Sequence, residues 1–325
     1  MVSVLLSDTS MFQLELVEYR SIHMKLKILK MVSLLGISIV SIMIAVYCEL
    51  NSIPAGATIG GLIAGVVVPY LITSIVDLTD TENWKSSQRK LKRAGILQPD
   101  TPIRISFAYL FRIKIDGKYF LVQNHRTKKY QPVGGAYKLS KKETEYLSQK
   151  IPVENDDRIP VDRITKLDYR LLVKNKDLRK FVRRFNRTKN RENISDLSRE
   201  FIEEIFGVGI IDKGVFGTLS YTYCGRHMTN VEYGNIFQHY ELLLADIVEV
   251  RLTNRQEQLF RQLMTNKREQ YYFATPEEIK NLGVKLGTNE LEDTIANHTY
   301  KILSENTDKL TRREKHKEMV SVPIK

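Results

Sequence analysis

The chain has 325 residues, a formal net charge of +12 at pH 7 and only two cysteines. Two cysteines give no disulfide framework, and no cluster of Cys and His suggests a zinc site. No RNA- or DNA-binding motif accompanies the positive charge, which argues against nucleic acid as a stable partner. The length allows a membrane anchor and one good-sized soluble domain.

The first 80 residues contain a short N-terminal segment and a predicted membrane hairpin. Residues 1–24 have no predicted regular structure, and Met24 is an alternative start. Residues 25–80 are predicted to form two transmembrane helices, because residues 31–48 and 50–76 contain no charged residue. A helix needs about 20 apolar residues to cross a bilayer core, and the short polar linker makes the pair antiparallel. The absence of ionisable residues inside either run argues against a proton-coupled transporter.

Charge predicts the orientation of this hairpin. Basic residues precede and follow it, whereas the connecting loop contains no Lys or Arg. The positive-inside rule therefore predicts that both termini are cytoplasmic. Ala55-Gly56-Ala57 resembles a signal-peptide cleavage site, but cleavage there would leave residues 58–76 as a membrane anchor.

Small residues recur at helical spacing in the second run. Gly56 and Gly60 form one pair, and Ala57, Gly61 and Gly65 form a second row. Rows of small residues let helix backbones approach closely in lipid. One row can pack within the hairpin and the other between protomers, so the second row is the predicted oligomerisation face of a homo-oligomer.

Residues 81–100 are a predicted juxtamembrane linker, and the soluble domain follows it. Residues 103–114 and 118–123 are predicted strands joined by a hairpin turn at Asp116-Gly117. Farther along, residues 214–224 and 232–246 are predicted strands. Residues 253–265 and 289–304 are predicted helices, the second belonging to a C-terminal helix and tail over residues 286–325.

A strongly basic segment lies at residues 174–191, with nine Lys or Arg residues against one acid. Its apolar residues recur at helical spacing, which predicts a basic amphipathic helix. Three interpretations remain open: the apolar stripe docks on the domain, the helix lies on anionic lipid, or its cations bind the phosphates of a nucleotide.

The most informative stretch reads Arg-Glu-Phe-Ile-Glu-Glu, from Arg199 to Glu204. On a helix, Glu200, Glu203 and Glu204 share one side. Carboxylates this close repel one another unless a hard divalent cation such as Mg²⁺ lies among them. A solvated acidic face is the alternative. The opposite side offers three apolar residues to a core: Leu197, Phe201 and Ile205.

These residues resemble the Nudix superfamily. Residues 199–204 match the Arg-Glu-x-x-Glu-Glu helix of the Nudix box, and Gly134-Gly135 is similar to the turn that opens it. Residues 272–279 resemble the segment that often closes a Nudix domain, so the resemblance covers roughly residues 101–285. It implies an α/β/α sandwich with a mixed sheet.

The resemblance also implies roles for individual residues. Glu200, Glu203 and Glu204 would be the Mg²⁺ ligands, with Glu203 and Glu204 as the catalytic pair. The structural residues of the box are then Gly134, Gly135 and Arg199.

The sequence departs from the family pattern at three points. Residues 136–198 separate the two halves of the box as a long insertion. The glutamate expected six residues after the first glycine is absent, since Ser140 and Lys141 occupy this region. The glycine expected after the paired glutamates is Phe206, with Gly207 one place late. These departures weaken the expectation of hydrolytic activity more than the expectation of a Nudix fold.

The whole architecture resembles the two-transmembrane Nudix-domain effectors associated with CD-NTases in bacterial CBASS antiphage systems. This resemblance implies a cytoplasmic domain that senses a cyclic nucleotide, and hairpins that oligomerise to disrupt the inner membrane and kill the cell. The alternative is a membrane-anchored, Mg²⁺-dependent Nudix hydrolase of nucleoside diphosphate-linked substrates. Either protein would be a multi-pass protein of the bacterial inner membrane, with the lipid bilayer as a partner.

Overall fold

A computed structural model of the chain describes residues 28–79, 83–156, 158, 165–266, 268–284, 293–311 and 319–324. The predictions for residues 1–24 lie outside these ranges. The chain divides into two compact units, Met1–Ser86 and Ser87–Lys325.

The first unit contains two long apolar helices, α1 (Ile28–Leu50) and α2 (Pro54–Thr79). Both are long and apolar enough to cross a membrane, and only 11% of each apolar window is buried within the protein. Large apolar side chains such as Met43 and Leu62 are therefore exposed along their length. This exposure is typical of helices whose surroundings are lipid rather than a protein core.

The two rows of small residues on α2 have different surroundings. A methyl group on Gly60 would lie 2.9 Å from the Ser41 carbonyl oxygen, and one on Gly56 would lie 2.4 Å from the Cys48 sulfur. That pair therefore faces α1. Gly61 and Gly65 have no atom within 4 Å of the same position, so their row is open.

The second unit begins within helix α3 (Trp84–Arg93) and contains twelve strands in its described part. The strands are β1 (Pro102–Arg112), β2 (Lys114–Ile115), β3 (Lys118–Gln123), β4 (Tyr130–Gln131), β5 (Gly134–Ala136), β6 (Val153–Asn155), β7 (Arg170–Lys174), β8 (Thr218–Met228), β9 (Glu232–Gly234), β10 (His239–Val250), β11 (Tyr271–Ala274) and β12 (Met319–Pro323). The helices are α4 (Lys141–Lys150), α5 (Leu178–Arg187), α6 (Arg199–Phe201), α7 (Lys213–Phe216), α8 (Asn254–Thr265) and α9 (Pro276–Lys280).

The strands form two sheets. The larger has the order β12-β8-β10-β1-β7-β6, with β5 also on β1 and β9 on β10. It is a mixed sheet, because β1 is parallel to β10 and antiparallel to β7 and β5. The smaller sheet has the order β11-β3-β2, with β4 beside β3.

Side chains alternate between the two faces of β1, as a half-turn per residue requires. Phe107 contacts Phe185 of α5 at 4.7 Å between ring centroids, and Phe111 contacts Phe201 of α6 at 5.3 Å. On the opposite face, Leu110 joins a second apolar cluster. The predicted sandwich around a mixed sheet is confirmed, and Leu197, Phe201 and Ile205 are fully buried as predicted.

The turn between β2 and β3 is also confirmed. Asp116 and Gly117 both have positive φ, of 47° and 82°, as a tight hairpin turn requires. The predicted strand over residues 103–114 is divided, since β1 ends at Arg112 and β2 belongs to the smaller sheet.

The insertion over residues 136–198 is part of the core. It contributes α4, α5, β6 and β7, and β7 pairs directly with β1. Glu143 of α4 is fully buried and accepts hydrogen bonds from Arg184 at 2.9 and 2.6 Å and from Thr188 at 2.7 Å. The predicted basic helix is α5. Its apolar stripe is buried on the sheet, which confirms the docking interpretation for that face: Leu178, Phe181, Val182 and Phe185.

The predicted helix over residues 289–304 is wrong for the part that the structure describes. Asn297–Ile302 and Ser304–Lys309 are 3-10 turns, and β12 then pairs with β8. The Arg112 guanidinium donates to the Ile302 carbonyl at 2.5 Å and to the Leu303 carbonyl at 3.1 Å. These bonds hold the end of the first 3-10 turn against β1.

Two other boundaries differ from the predictions. The predicted strand over residues 214–224 begins only at Thr218, because Lys213–Phe216 form the short helix α7 and Gly217 ends it with φ of +82°. The predicted strand over residues 232–246 is divided into β9 and β10, which pair as a hairpin.

Candidate functional site

The two glycines of the predicted box lie in β5, at positions where this strand approaches β1 and Glu200 closely. Gly134 has φ of +146°, and a methyl group there would lie 2.2 Å from the Tyr109 carbonyl oxygen. A methyl group on Gly135 would lie 2.0 Å from the Glu200 carboxylate. Gly134 lets β5 lie against the backbone of β1, which only glycine permits, and Gly135 brings β5 against the movable end of the Glu200 side chain.

The predicted helix of the glutamates is α-helical only at its start. We call residues 199–206 the glutamate helix; it continues from α6 as a π-helix over Ile202–Phe206. The Gly207 N–H bonds to the Ile202 carbonyl at 2.8 Å, five residues back. A π-turn holds one residue more than an α-turn, which explains why Gly207 comes one place late in the pattern.

Arg199 contacts carboxylates that precede it and carboxylates that follow it in the chain. Its guanidinium lies 2.5 Å from Glu200 Oε1 and 3.7 Å from Glu203 Oε2, and it donates to the Ala136 carbonyl at 2.9 Å. It also donates to both Glu192 oxygens, at 3.3 and 3.2 Å. These charge-assisted bonds fix the start of the glutamate helix against β5.

Glu192 is a residue that the sequence analysis missed. It accepts from the Tyr109 hydroxyl at 3.0 Å and from the Lys138 N–H at 3.2 Å, in addition to Arg199. It shares Arg199 with the Ala136 carbonyl of β5, whereas the family pattern places an acid near Ser140. The signal available in the sequence was its position seven residues before Arg199. Glu192 lies near the end of the insertion, far from the glycines along the chain but close to the glutamate helix.

Glu204 and Glu203 lie in different environments. Glu204 accepts from the Gly134 N–H at 2.8 Å, and burial, together with the nearby Glu200, raises its pKa to about 8. The Glu203 side chain is half exposed, and burial and Glu200 raise its pKa to a smaller extent. The site therefore carries crowded negative charge that Arg199 only partly offsets.

In this arrangement the three glutamates make separate contacts. Glu200 is bonded to Arg199 and lies beside Gly135, Glu204 accepts from the Gly134 N–H, and Glu203 is half exposed. Among the residues that the structure describes, no three or more His, Cys, Asp or Glu side chains are grouped to hold a metal ion. By chemistry, however, three carboxylates are donors that suit a hard divalent cation.

A cleft of about 760 Å³ opens beside the glutamate helix. All three glutamates and Arg199 line one part of it. Other lining residues are His125, Lys138, Lys166 and Gln270. Its volume lies within the roughly 300–1,000 Å³ that is usual for ligand pockets. The cleft thus presents acidic and basic groups to one ligand-sized space.

The structure therefore brings together six of the residues predicted for the soluble domain: Gly134, Gly135, Arg199, Glu200, Glu203 and Glu204. The helix α5 contributes nothing to the lining of this cleft. The second row of small residues lies on α2 in the first unit, apart from this site along the chain.

Comparisons with known proteins agree with this geometry. Residues 102–303 match the family described as "SMODS-associated NUDIX domain". That match includes the insertion and ends within the C-terminal 3-10 turns. No curated protein sequence matches the chain.

One solved structure shows a distant likeness. It is a bifunctional NMN adenylyltransferase/ADP ribose pyrophosphatase from Francisella tularensis, crystallised with AMP and a Mn ion. The identity is 9% and the TM-score 0.23, with 76% of this chain and 52% of that chain covered. This chain thus matches about half of that protein's length.

Proposed function

The chain belongs to the SMODS-associated NUDIX domain family, and from this premise we propose that it is a membrane effector of a CBASS antiphage system. Its NUDIX domain binds a cyclic nucleotide, and its hairpins then assemble and breach the inner membrane. One observation carries the proposal: the box carboxylates are already engaged by Arg199 and Gly134 beside a ligand-sized cleft. This arrangement suits recognition of a ligand.

The cleft offers chemistry for both parts of a cyclic nucleotide. Lys138 and Lys166 are cations that can contact phosphates, although Lys138 also pairs with Asp168. The carboxylates of Glu200 and Glu203 can accept hydrogen bonds from base amino groups. A ligand that contacts both the lysines and the glutamates would displace Arg199 contacts or draw the two sides of the cleft together. Either change would alter the conformation of the domain.

The open face of α2 supports the membrane step. Gly61 and Gly65 face no atom of their own hairpin, whereas Gly60 packs on α1. We propose that Ala57, Gly61 and Gly65 contact a second copy of the hairpin, so that assembly follows ligand binding. The charge pattern of the flanking segments supports a cytoplasmic location for both termini.

A leakage assay tests the proposal. Full-length protein is reconstituted in dye-loaded liposomes, and cyclic dinucleotides and trinucleotides are added while the nucleotides are analysed for cleavage. We expect one ligand to release dye and to remain intact. Lys166→Gln should weaken the response to that ligand, while Lys213→Gln, at an exposed site outside the cleft lining, should not. The absence of leakage with every ligand would refute the effector.

Two variants separate assembly from folding of the hairpin. Gly61→Ile/Gly65→Ile should block leakage without loss of α1–α2 packing, because both positions are open. Gly36→Ile is the matched control, since Gly36 is equally open on α1. Leakage by the Gly61→Ile/Gly65→Ile variant at the wild-type level would show that this face does not join protomers.

A hydrolase is the second candidate, favoured by the Glu204 carboxylate, whose pKa is raised to about 8 by burial and by repulsion from Glu200. A cation at Glu200, Glu203 and Glu204 would relieve that repulsion. Mg²⁺ bound there would stabilise negative charge on a diphosphate. Glu203 and Glu204 would then hold the metal and orient water. Turnover of a nucleoside diphosphate substrate that Glu203→Gln abolishes would establish this activity, and unchanged turnover would reject these roles.

A further inference from the structure

A second cleft lies in the C-terminal part of the larger unit, and we call it the C-terminal cleft. It has a volume of about 310 Å³ and is bordered by β8, α9 and the two 3-10 turns. It shares no lining residue with the cleft beside the glutamate helix. Ile279, Leu303 and Leu310 of its lining belong to the apolar cluster on the opposite face of β1 from α5 and α6. The C-terminal cleft is therefore a separate space, on the sheet face that does not carry the glutamate helix.

Lys301, in the first 3-10 turn, is the unusual residue of this cleft. Its side chain lines the cleft although the residue is only 8% exposed. Among the residues that the structure describes, no carboxylate oxygen lies within 4.0 Å of its ammonium group. A buried ammonium group without a partner is costly, because it loses water and gains no bond in return. A ligand that supplies the missing negative charge would remove this cost.

The electrostatic surroundings of Lys301 agree with this geometry. Burial lowers the pKa of Lys301 below its ordinary value, and the attraction of Glu232 offsets this effect only in part. Burial, together with the positive charge of Lys301, lowers the pKa of His227 to about 4. The same two causes lower the pKa of His298. The charge of Lys301 thus acts on its neighbours and is not neutralised by them.

The other cation of the lining is already paired. Lys280 of α9 contacts Glu305 at 2.5 Å, and both side chains are about half exposed. The described residues that line the cleft include no Asp or Glu. The cleft therefore holds the charge of one unpaired cation, which a ligand with a single negative charge would balance. A carboxylate has this charge at neutral pH.

The rest of the lining suits an organic carboxylate. His227 Nδ1 is buried and has no hydrogen-bond partner in the described part of the chain, and Nε2 lies 3.4 Å from the Tyr300 hydroxyl. With a pKa of about 4, this imidazole is uncharged at neutral pH and can donate one hydrogen bond. The apolar wall of the cleft consists of Ile279, Leu282, Leu303 and Leu310. A charged donor and a neutral donor thus lie beside an apolar wall.

We propose that the C-terminal cleft binds a small organic carboxylate. The carboxylate group pairs with Lys301 and accepts a hydrogen bond from His227, while the apolar part of the ligand packs on Ile279 and Leu303. The volume lies at the lower end of the roughly 300–1,000 Å³ usual for ligand pockets, so the ligand is small. This site is independent of the proposed nucleotide site, because the two clefts have separate linings.

Calorimetric titration of the full chain in detergent with benzoate tests this inference. Benzoate combines a carboxylate with an apolar ring. Benzamide has the same ring without the charge, and inorganic phosphate has charge without an apolar part. We expect benzoate to bind at least about tenfold more tightly than benzamide, because a charged hydrogen bond contributes a factor of this size. Benzoate should also bind more tightly than phosphate, since only benzoate covers the apolar wall.

Two matched variants locate the binding. Lys301→Met removes the charge and keeps an unbranched side chain, so it should weaken benzoate binding at least about tenfold. Its melting temperature should not fall, because the charge that it removes is buried and unpaired. Lys213→Met, at an exposed position outside the cleft lining, should bind benzoate as the wild type does.

Four results would overturn the inference. The absence of benzoate binding would show that the cleft takes no carboxylate, and equal affinity in the wild type and Lys301→Met would place the binding elsewhere. Phosphate binding at least as tight as benzoate binding would assign the cleft to an inorganic anion. A lower melting temperature of Lys301→Met would show that Lys301 already has a partner that stabilises the fold.

Discussion

Replacing Gly134 by alanine is expected to destabilise the NUDIX domain strongly. A methyl group there would lie 2.2 Å from the Tyr109 carbonyl oxygen and 3.0 Å from Leu110 Cα. Both are backbone atoms of β1, so neither can rotate away. Gly134 also has φ of +146°, which other residues rarely adopt.

The size of the stability loss follows from two effects, the unfavourable backbone conformation and the steric clash with β1. The unfavourable backbone conformation costs about 1–3 kcal/mol, and the overpacking against β1 adds about 1–3 kcal/mol. Together they lower the free energy of unfolding by about 2–6 kcal/mol. For a unit of this size, each kcal/mol lowers the melting temperature by roughly 2–4 °C. The expected fall is thus on the order of 10 °C.

Gly135→Ala provides the matched control. Its methyl group would meet the Glu200 carboxylate, which lies at the end of a flexible side chain. The cost is therefore limited to the Arg199–Glu200 hydrogen bond, about 1.5–3 kcal/mol for a charged pair. Calorimetric unfolding of the two full-length variants in detergent compares these costs. Equal losses, or a wild-type melting temperature for Gly134→Ala, would refute the close approach of β5 to β1.

Other residues give predictions of the same kind. Arg226→Met should lower the free energy of unfolding by about 3–5 kcal/mol, since it leaves the buried Asp246 carboxylate without its two 2.7 Å bonds; denaturant titration measures it. Burial lowers the pKa of His227 to about 4, below its ordinary value. Its contribution to stability is therefore present above pH 6.5 and lost as the pH falls towards 4. Glu192→Gln should weaken ligand binding in the cleft by freeing Arg199, which calorimetric titration measures.

Each of these predictions has a contradicting outcome. Arg226→Met/Asp246→Asn should recover part of the lost stability, and no recovery would mean that the pair is not coupled. His227→Gln should make the stability profile shallower between pH 6.5 and 4, where His298 also contributes, so an unchanged profile would reject the titration of His227. Unaltered ligand affinity in Glu192→Gln would show that Arg199 is oriented without this acid.

Local sequence signals were sufficient for many elements. Asp116-Gly117 predicted its hairpin turn, and the apolar spacing of Leu197, Phe201 and Ile205 predicted the face that is buried. These signals work because they depend on neighbouring residues alone, through turn conformation and helical periodicity. The predicted helix over residues 289–304 was wrong where the structure describes it, because contacts with residues distant in sequence, such as Arg112, hold this segment as 3-10 turns.

The site was predicted in part for the same reason. The glutamates were identified from their helical spacing and the glycines from the resemblance to the Nudix box. Glu192 was not identified, because its role depends on contacts with Tyr109 and Arg199 across the fold. The π-turn was likewise not predicted. The displaced position of Gly207 indicates one added residue in the helix only when the backbone hydrogen bonds are known.

By itself, the sequence determined the two apolar helices and the mixed α/β domain, because composition and periodicity are properties of short segments, and its resemblance to the Nudix box predicted the box residues. Only the tertiary structure decided that the insertion is part of the core and that Arg199 and Gly134 engage the carboxylates. It also decided which row of small residues on α2 remains open. These outcomes depend on contacts between segments far apart in the chain, where packing and hydrogen bonding outweigh local preference.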